Sequence, residues 1–324
     1  MEYQMKLHED PSTFRDVILA TAQDLKISDV FIEKDYWVTF ILYRISQHPE
    51  MQRIVFKGGT SLSKAFALIE RFSEDVDLAL TDLKGLSGNK IKSLIDKISK
   101  NLTANPFEEI GGDKRTSKGS RFRRTVHQYP RLDLTGEFQS ASPDLLLEIN
   151  SFTDPTPILR KKVRAYVGDF LARNSSGDLK TFDLDSFEIQ VLGLERTCME
   201  KLLGLIRQSY EGPQKTREKV RHLYDLAKLG RTTEIQNFIS NQRKFKEMME
   251  LVKETDKTSS EFSGAWLDSP FYSAPLFNNS EIKKALEDAY QSRSFQSLIW
   301  APDKSPSFEE AWGALSRLSS NFNE

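Results

Sequence analysis

Between Lys57 and Leu78 the chain reads KGGTSLSKAFALIERFSEDVDL, and two features of this segment can do chemistry. The adjacent glycines Gly58 and Gly59 let backbone N–H groups approach a phosphate closely, and Ser61 adds a hydroxyl beside them. A Gly-Gly pair alone serves equally as a plain tight turn. It is not a Walker A loop, since no Lys-Ser/Thr pair follows a second glycine at the required spacing, and no GxGxxG is present. The second feature is Asp75 and Asp77, two apart in DVDLAL, which places both carboxylates on one strand face while Val76 and Leu78 point into the core. Two like charges side by side repel, and a divalent cation relieves the repulsion. Oxygen ligands completed by water and phosphate suit magnesium. The plain alternative is an exposed face at a sheet edge. Glu148, inside the apolar run LLLEI, is a third acid that must face a cation or a pocket, because a carboxylate is rarely buried uncompensated. If its strand neighbours Asp75–Leu80, three carboxylates converge; otherwise it pairs with a nearby arginine.

These residues need elements to hold them. Residues 53–56 read as a short strand, Ser61–Glu70 as a helix and Asp75–Leu80 as an alternating strand, so the glycines fall at a strand-to-helix turn. Ahead of them, Thr13–Leu25 and a second stretch carrying Ile32, Trp37, Phe40, Ile41 and Ile45 have helical spacing, the second capped by Ser28 or Asp29. Ile91, Leu94, Ile95 and Ile98 mark a further helix. RFRRTVHQY reads as a strand and DLLLEINSF as a strand buried on both faces; RKKVRAYVGDFLARN is partly helical, and residues 175–178 form a loop. The pattern changes at Phe187, after which the chain is mostly helical, with helices near Leu192–Gln208 and Gln214–Leu229 and an irregular stretch at residues 258–280. Ser307 with Glu310 three residues on gives a capping box for a last helix. We therefore expect an α+β fold, with one domain over residues 1–186 and a mostly helical domain over 187–324.

At 324 residues the chain is long enough for two or three domains, which excludes a small stapled module. Its 46 Lys and Arg against 47 Asp and Glu give a net charge of −1, so any attraction for nucleic acid must be local. The single cysteine, Cys198, excludes an internal disulfide, and four scattered histidines exclude a Cys/His zinc cluster. Cys198 reads as a core residue. The start of the chain lacks the basic and apolar regions of a signal peptide, and no apolar run approaches membrane-spanning length, so the expected location is cytoplasmic, with no membrane partner.

The order Gly-Gly-Thr-Ser-Leu, RFSEDVDL and then an acid in an apolar strand resembles the nucleotidyltransferases of the DNA polymerase β-like superfamily. FIEKDYW (31–37), FKGGTSLSK (56–64), RFSEDVDL (71–78), the helical pair Glu200-Lys201 and RHLYDL (221–226) resemble the AbiEii/MenT-like toxin branch. The resemblance implies a polymerase β-like core followed by a helical domain, with the active site in a cleft between them. It implies transfer of nucleotide from an NTP to an RNA hydroxyl, the tRNA 3′ end foremost, with Mg2+ as cofactor. It also implies a toxin role in abortive phage defence with a cognate antitoxin as partner. Lys57, Gly58, Gly59, Thr60 and Ser61 would cradle the triphosphate together with Arg221. Asp75 and Asp77 would hold the metal, and Glu148 would serve as a third metal ligand or as a base. Lys201 would neutralise phosphate charge, and Asp225 would complete the pocket. Where many relatives carry Arg-Asp, this chain has Arg221-His222, leaving Asp225 as the only acid of its motif.

Bland readings accompany these roles. Lys201 lies near the edge of an apolar face formed by Leu194, Met199, Leu202, Leu203 and Ile206, and can simply snorkel to water. Arg217, Arg221 and Asp225 stack at i, i+4 and i+8, so a weak Arg221–Asp225 pair is the structural alternative. Residues 114–131 hold seven cations and no acid, with Phe122 and Tyr129 interleaved: phosphate contacts and stacking surfaces for unpaired bases, an antitoxin contact, or a solvated loop. Three other functions stay open: transfer to a protein or small molecule, an NTP-binding regulator without turnover, and an interaction protein docking through this basic run.

Overall fold

The computed structural model describes residues 5–73, 75–138, 140–152, 154–257 and 264–319. The strands are β1 (Ile54–Lys57), β2 (Asp75–Leu80), β3 (Glu108–Glu109), β4 (Ser117–Lys118), β5 (Phe122–Gln128), β6 (Leu145–Asn150), β7 (Ile158–Val163) and β8 (Phe187–Leu192). Among the sheet-bearing residues the helices are α1 (Pro11–Leu25), α2 (Asp29–Gln47), α3 (Gly58–Lys64), α4 (Gly88–Leu102), α5 (Tyr166–Asn174) and α6 (Ser176–Thr181). Then follow α7 (Leu194–Ser209), α8 (Pro213–Arg217), α9 (Val220–Leu229), α10 (Thr233–Ser240), α11 (Gln242–Lys257), α12 (Pro275–Asn278), α13 (Ser280–Gln291), α14 (Arg293–Gln296) and α15 (Phe308–Ser319). The fold is α+β.

The strands form one mixed sheet in the order β3-β5-β6-β2-β1-β8-β7, with β4 paired to β5. β1 and β2 are antiparallel, β2 and β6 parallel, β5 and β6 antiparallel, and β1 and β8 parallel. β6 alternates: Leu145, Leu147 and Ile149 are buried while Leu146, Glu148 and Asn150 are half-exposed. The strand therefore has one open face, contrary to the expectation of burial on both. Its buried face is covered by α4, whose Ile91, Ile95 and Ile98 pack inward and whose Asp96 meets Arg123 of β5 at 2.8 Å. Since strand side chains alternate, Arg124 and Glu148 point to the opposite face from α4.

α2 is the centre of this unit, with 16 of its 19 residues buried, so it has no single apolar stripe. Several boundaries differ from the sequence reading. The helix after the glycine turn starts on Gly58 itself and stops at Lys64, residues 176–181 form α6 instead of a loop, and FEIQVL at Phe187–Leu192 is a strand of the sheet. The stretch Gln214–Leu229 is two helices, α8 and α9. Of the irregular stretch expected at 258–280, residues 258–263 lie outside those described. The capping box holds: Ser307 N–H donates to Glu310 Oε2 at 2.8 Å, and Glu310 N–H to Ser307 Oγ at 3.2 Å.

The chain forms two compact units. Met1–Ala67 and Phe72–Val191 make the sheet-bearing unit; Leu192–Glu324 makes the helical one together with Leu68–Arg71. That four-residue segment is held there by a bridge between Arg71 and Ile299, by Trp300 N–H donating to Glu70 O at 3.0 Å, and by Lys228 Nζ at 2.6 Å from Glu70 Oε2.

Candidate active site

Gly58 follows β1 directly and has φ of +80°, a left-handed conformation open to glycine at little cost. A Cβ at this position would collide with Oδ2 of Asp77, so the turn lies against the carboxylate of the D-x-D strand with only a hydrogen between them. Ser61 is fully buried and its Oγ donates to Gly58 O at 2.8 Å. The hydroxyl assigned to the triphosphate therefore stabilises the turn. Thr60, also buried, places Oγ1 3.0 Å from Ser73 Oγ, tying α3 to the chain just ahead of Asp75. Lys64, at the end of α3, donates to Asp35 Oδ1 at 2.6 Å and to Arg164 O at 2.8 Å, with its ammonium over the Tyr166 ring.

That aspartate belongs to a charged triplet inside α2 whose role the sequence did not show. Glu33 Oε1 accepts from Leu132 N–H at 2.7 Å, Lys34 donates to Ser142 O and Asp144 O, and Asp35 also accepts from Tyr166 N–H at 2.8 Å. One turn of helix thus pins the β5–β6 loop at two places, the start of α5 and the glycine-turn helix. Burial pushes the Glu33 carboxyl up to about 7, and raises Asp35 even against the nearby Lys64 ammonium. FIEKDYW carries these residues, and a run of charges within an otherwise apolar helix is the signal that could have identified them.

Asp75 and Asp77 are half-exposed on one face of β2, as their spacing implies, with Val76 and Leu78 fully buried on the other. The register then lines up four charges across four neighbouring strands: Lys57 pairs with Asp77, Asp77 with Glu148, and Glu148 with Arg124. The row reads cation, anion, anion, cation, which partly offsets the repulsion of the two acids. Glu148 does lie beside Asp77, but its Oε2 accepts from Arg124 Nε at 3.0 Å and Nη2 at 2.8 Å. Among the described residues no group of three or more His, Cys, Asp or Glu is arranged to hold a metal ion. Of the expected three-acid set Asp75, Asp77 and Glu148, the last lies in register with Asp77 and is bonded by an arginine from the next strand. The remaining pair still fits magnesium, which takes one or two carboxylates and fills its shell with water and substrate phosphate. The missing Cβ of Gly58 leaves room for the Asp77 carboxylate against the turn.

In the helical unit, Lys201 and Asp225 meet directly, with Lys201 Nζ 2.7 Å from Asp225 Oδ2. Arg71, which the sequence reading gave no role, donates Nε to Oδ1 at 2.8 Å and Nη2 to Oδ2 at 2.6 Å. The Asp225 side chain is 0% exposed, and those of Arg71 and Lys201 are 3% and 8% exposed, so the aspartate is held by two cations out of solvent. Burial favours the neutral acid, but Arg71 and Lys201 outweigh it and hold Asp225 well below the usual carboxylate range. Arg221 lies one turn before Asp225 on α9 and is half-exposed. His222 packs its ring against Gly204, where a side chain would press on it, and burial followed by the Lys201 charge drives its pKa well down, leaving a neutral imidazole. Cys198 is a core residue whose thiol burial pushes up to about 12.

The basic run is largely paired within the molecule. Arg115 meets Asp113 and Asp144, Lys118 meets Glu109, Arg121 donates to Ser151 O, Arg123 meets Asp96, and Arg124 meets Glu148. Tyr129 is buried against Trp37, while Phe122 is half-exposed. It is a network of ion pairs rather than a bare cationic strip.

Residues 41–314 match the family described as Nucleotidyl transferase AbiEii toxin, Type IV TA system. The chain belongs to the AbiEii nucleotidyltransferase toxin family. Its activity class is therefore nucleotidyl transfer from a nucleoside triphosphate, in a family of toxins whose partners are antitoxins. This AbiEii-family chain is also similar to a solved structure of MenT4, a nucleotidyltransferase toxin from Mycobacterium tuberculosis, with 15% identity and a TM-score of 0.46 over 95% of this chain and 99% of that one. No curated protein matches it. Among the described residues of this AbiEii-family chain, no helix is long and apolar enough to cross a membrane.

Proposed function

We propose that this protein transfers a nucleotide from an NTP to a hydroxyl of RNA, the 3′ end of tRNA foremost, in a magnesium-dependent reaction that gives a toxin its effect in abortive phage infection. The acceptor oxygen attacks the α-phosphorus, a new P–O bond forms, the bond to the β-phosphate oxygen breaks, and pyrophosphate leaves. The observation that carries the reading is the abutment of the Gly58 turn on Asp77 within a row that continues to Glu148. In this reading Lys57 and the backbone of Gly58 and Gly59 receive the triphosphate, with Thr60 and Ser61 fixing the turn and Arg221 contributing to nucleotide binding. Asp75 and Asp77 would hold Mg2+, which when bound supplies charge neutralisation at the phosphates. Glu148 stands next in the row to take the hydroxyl proton, oriented by Arg124. Lys201, fixed by Asp225, would neutralise phosphate charge, and Asp225, held also by Arg71, would complete the pocket. The cytoplasm, where NTP, RNA and a cognate antitoxin meet, is the setting this reaction requires.

The test is to incubate the purified protein with magnesium, each α-labelled NTP in turn, total RNA and total soluble protein, and to separate the pools. Label in RNA is the expected result. Label confined to protein or small molecules would move the acceptor to those classes, and NTP binding without label in any pool would leave a regulator without turnover.

A further inference from the structure

Next to the acid row, on the same face of the sheet, lie two aromatic rings that the catalytic reading does not use and the Arg124 guanidinium, which that reading uses only to orient Glu148. Phe122 and Arg124 are i and i+2 on β5, and Arg124 Cζ lies 5.3 Å from the centroid of the Phe122 ring. Phe152, two residues beyond the end of β6, sets its ring nearly parallel to Phe122, at 14° with centroids 6.1 Å apart. All three are half-exposed, whereas Tyr129, the other aromatic of the basic run, is core. Arg124 bonds Glu148 through Nε and Nη2 and sets its Cζ over the Phe122 ring, so the ion pair fixes the guanidinium beside the aromatic pair.

We propose that Phe122, Phe152 and the Arg124 guanidinium form a stacking platform for the terminal unpaired nucleobase of the acceptor strand. The inference rests on the reading of RNA as acceptor and adds where its last base binds. Unpaired bases are recognised by stacking on aromatic rings and arginine planes, and this holds for any base. The strand order gives the assignment. From the Asp77 column, the glycine turn lies one strand away on β1, while Phe122 and Arg124 lie two strands away on the other side, on β5. Arg124 lies level with Asp77, two strand spacings or roughly 10 Å away, and Phe122 lies two residues further along, level with Ala79, at roughly 12 Å between backbone positions, a span that a terminal nucleotide covers together with the side chains at either end. Triphosphate and acceptor thus approach Asp75 and Asp77 from opposite sides.

The test uses the full chain and a short single-stranded RNA with a fluorescent purine analogue at its 3′ terminus, whose emission stacking quenches. Wild type should bind and quench it. The Phe122→Leu/Phe152→Leu variant keeps apolar bulk but loses the flat rings; it should lose the quenching, bind RNA roughly tenfold or more weakly and raise the KM for RNA while the KM for NTP holds. Phe122→Trp should restore quenching. A double variant that quenches and binds as wild type overturns the platform, as does a rise in the KM for NTP alone, which would put the NTP base there. Labelled RNA with an unquenched probe overturns the platform while leaving the proposed transfer standing; quenching with no label in RNA removes the proposed transfer and keeps the platform.

Discussion

Gly58 and Asp77 share a space that admits one side chain. Substituting Gly58→Ala forces a residue with a Cβ into φ of +80°, at roughly 1 kcal/mol, and drives that atom into the Asp77 carboxylate. We expect transfer to be lost while the melting temperature falls by only a few degrees; a fully active alanine variant would mean that the close approach is unimportant. Glu33 makes a different prediction. Its folded pKa of about 7 lies above the ordinary value of 4.5, because burial disfavours the anion. The folded state then binds more protons than the unfolded state between about pH 4.5 and 7, so stability from this group is full below that window and falls as pH rises through it. The shift corresponds to about 3 kcal/mol at most. Glu33→Gln keeps an oxygen for Leu132 N–H and removes the titration. Urea unfolding at pH 5 and pH 8 should show the parent losing more stability than the variant, and equal losses would contradict a raised pKa.

α3 has only seven residues, too few to persist by helix propensity, so its position depends on what grips it. The grip is Lys64 on Asp35, with 3% and 5% of their side chains exposed. Removing one partner leaves a buried charge alone, so Asp35→Ala should cost about 3–5 kcal/mol and disturb the glycine turn, while Asp35→Leu with Lys64→Met should recover much of the stability. If the single and double variants unfold at the same denaturant concentration, the pair is not the anchor. Much at this scale was legible in the sequence: the strand bearing Asp75 and Asp77 has the expected bounds, and the glycines sit at a strand-to-helix turn because alternation and turn chemistry are local. Long-range pairing was legible only in part. A nearby arginine was the alternative partner for Glu148, and Arg124 takes that place from 24 positions away, but Arg71 reaches Asp225 across 154 positions and spacing says nothing about such a partner. The strand Phe187–Leu192 was passed over because six residues next to a long helical pattern carry too few alternations to stand out.

At the scale of the whole chain, Leu68–Arg71 folds with residues that follow Leu192, although both neighbouring stretches of sequence belong to the sheet unit. A fragment spanning 192–324 would lack Arg71 and Glu70, leaving Asp225 with one cation and Lys228 without its acid. We expect this fragment to show no cooperative thermal transition, and a sharp transition at the parent's temperature would contradict the assignment of that segment. A net charge of −1 and a basic run already paired with acids mean that whole-molecule attraction contributes little to RNA capture, so the chemistry must reside in the acid row and the elements around it. The most direct test of that claim is pyrophosphate release and label transfer to RNA by wild type and Asp77→Asn, at equal concentration and with matching circular dichroism. Wild type should release pyrophosphate and label RNA, and the variant should do neither; a variant as active as wild type would show that the D-x-D strand does not form the catalytic centre.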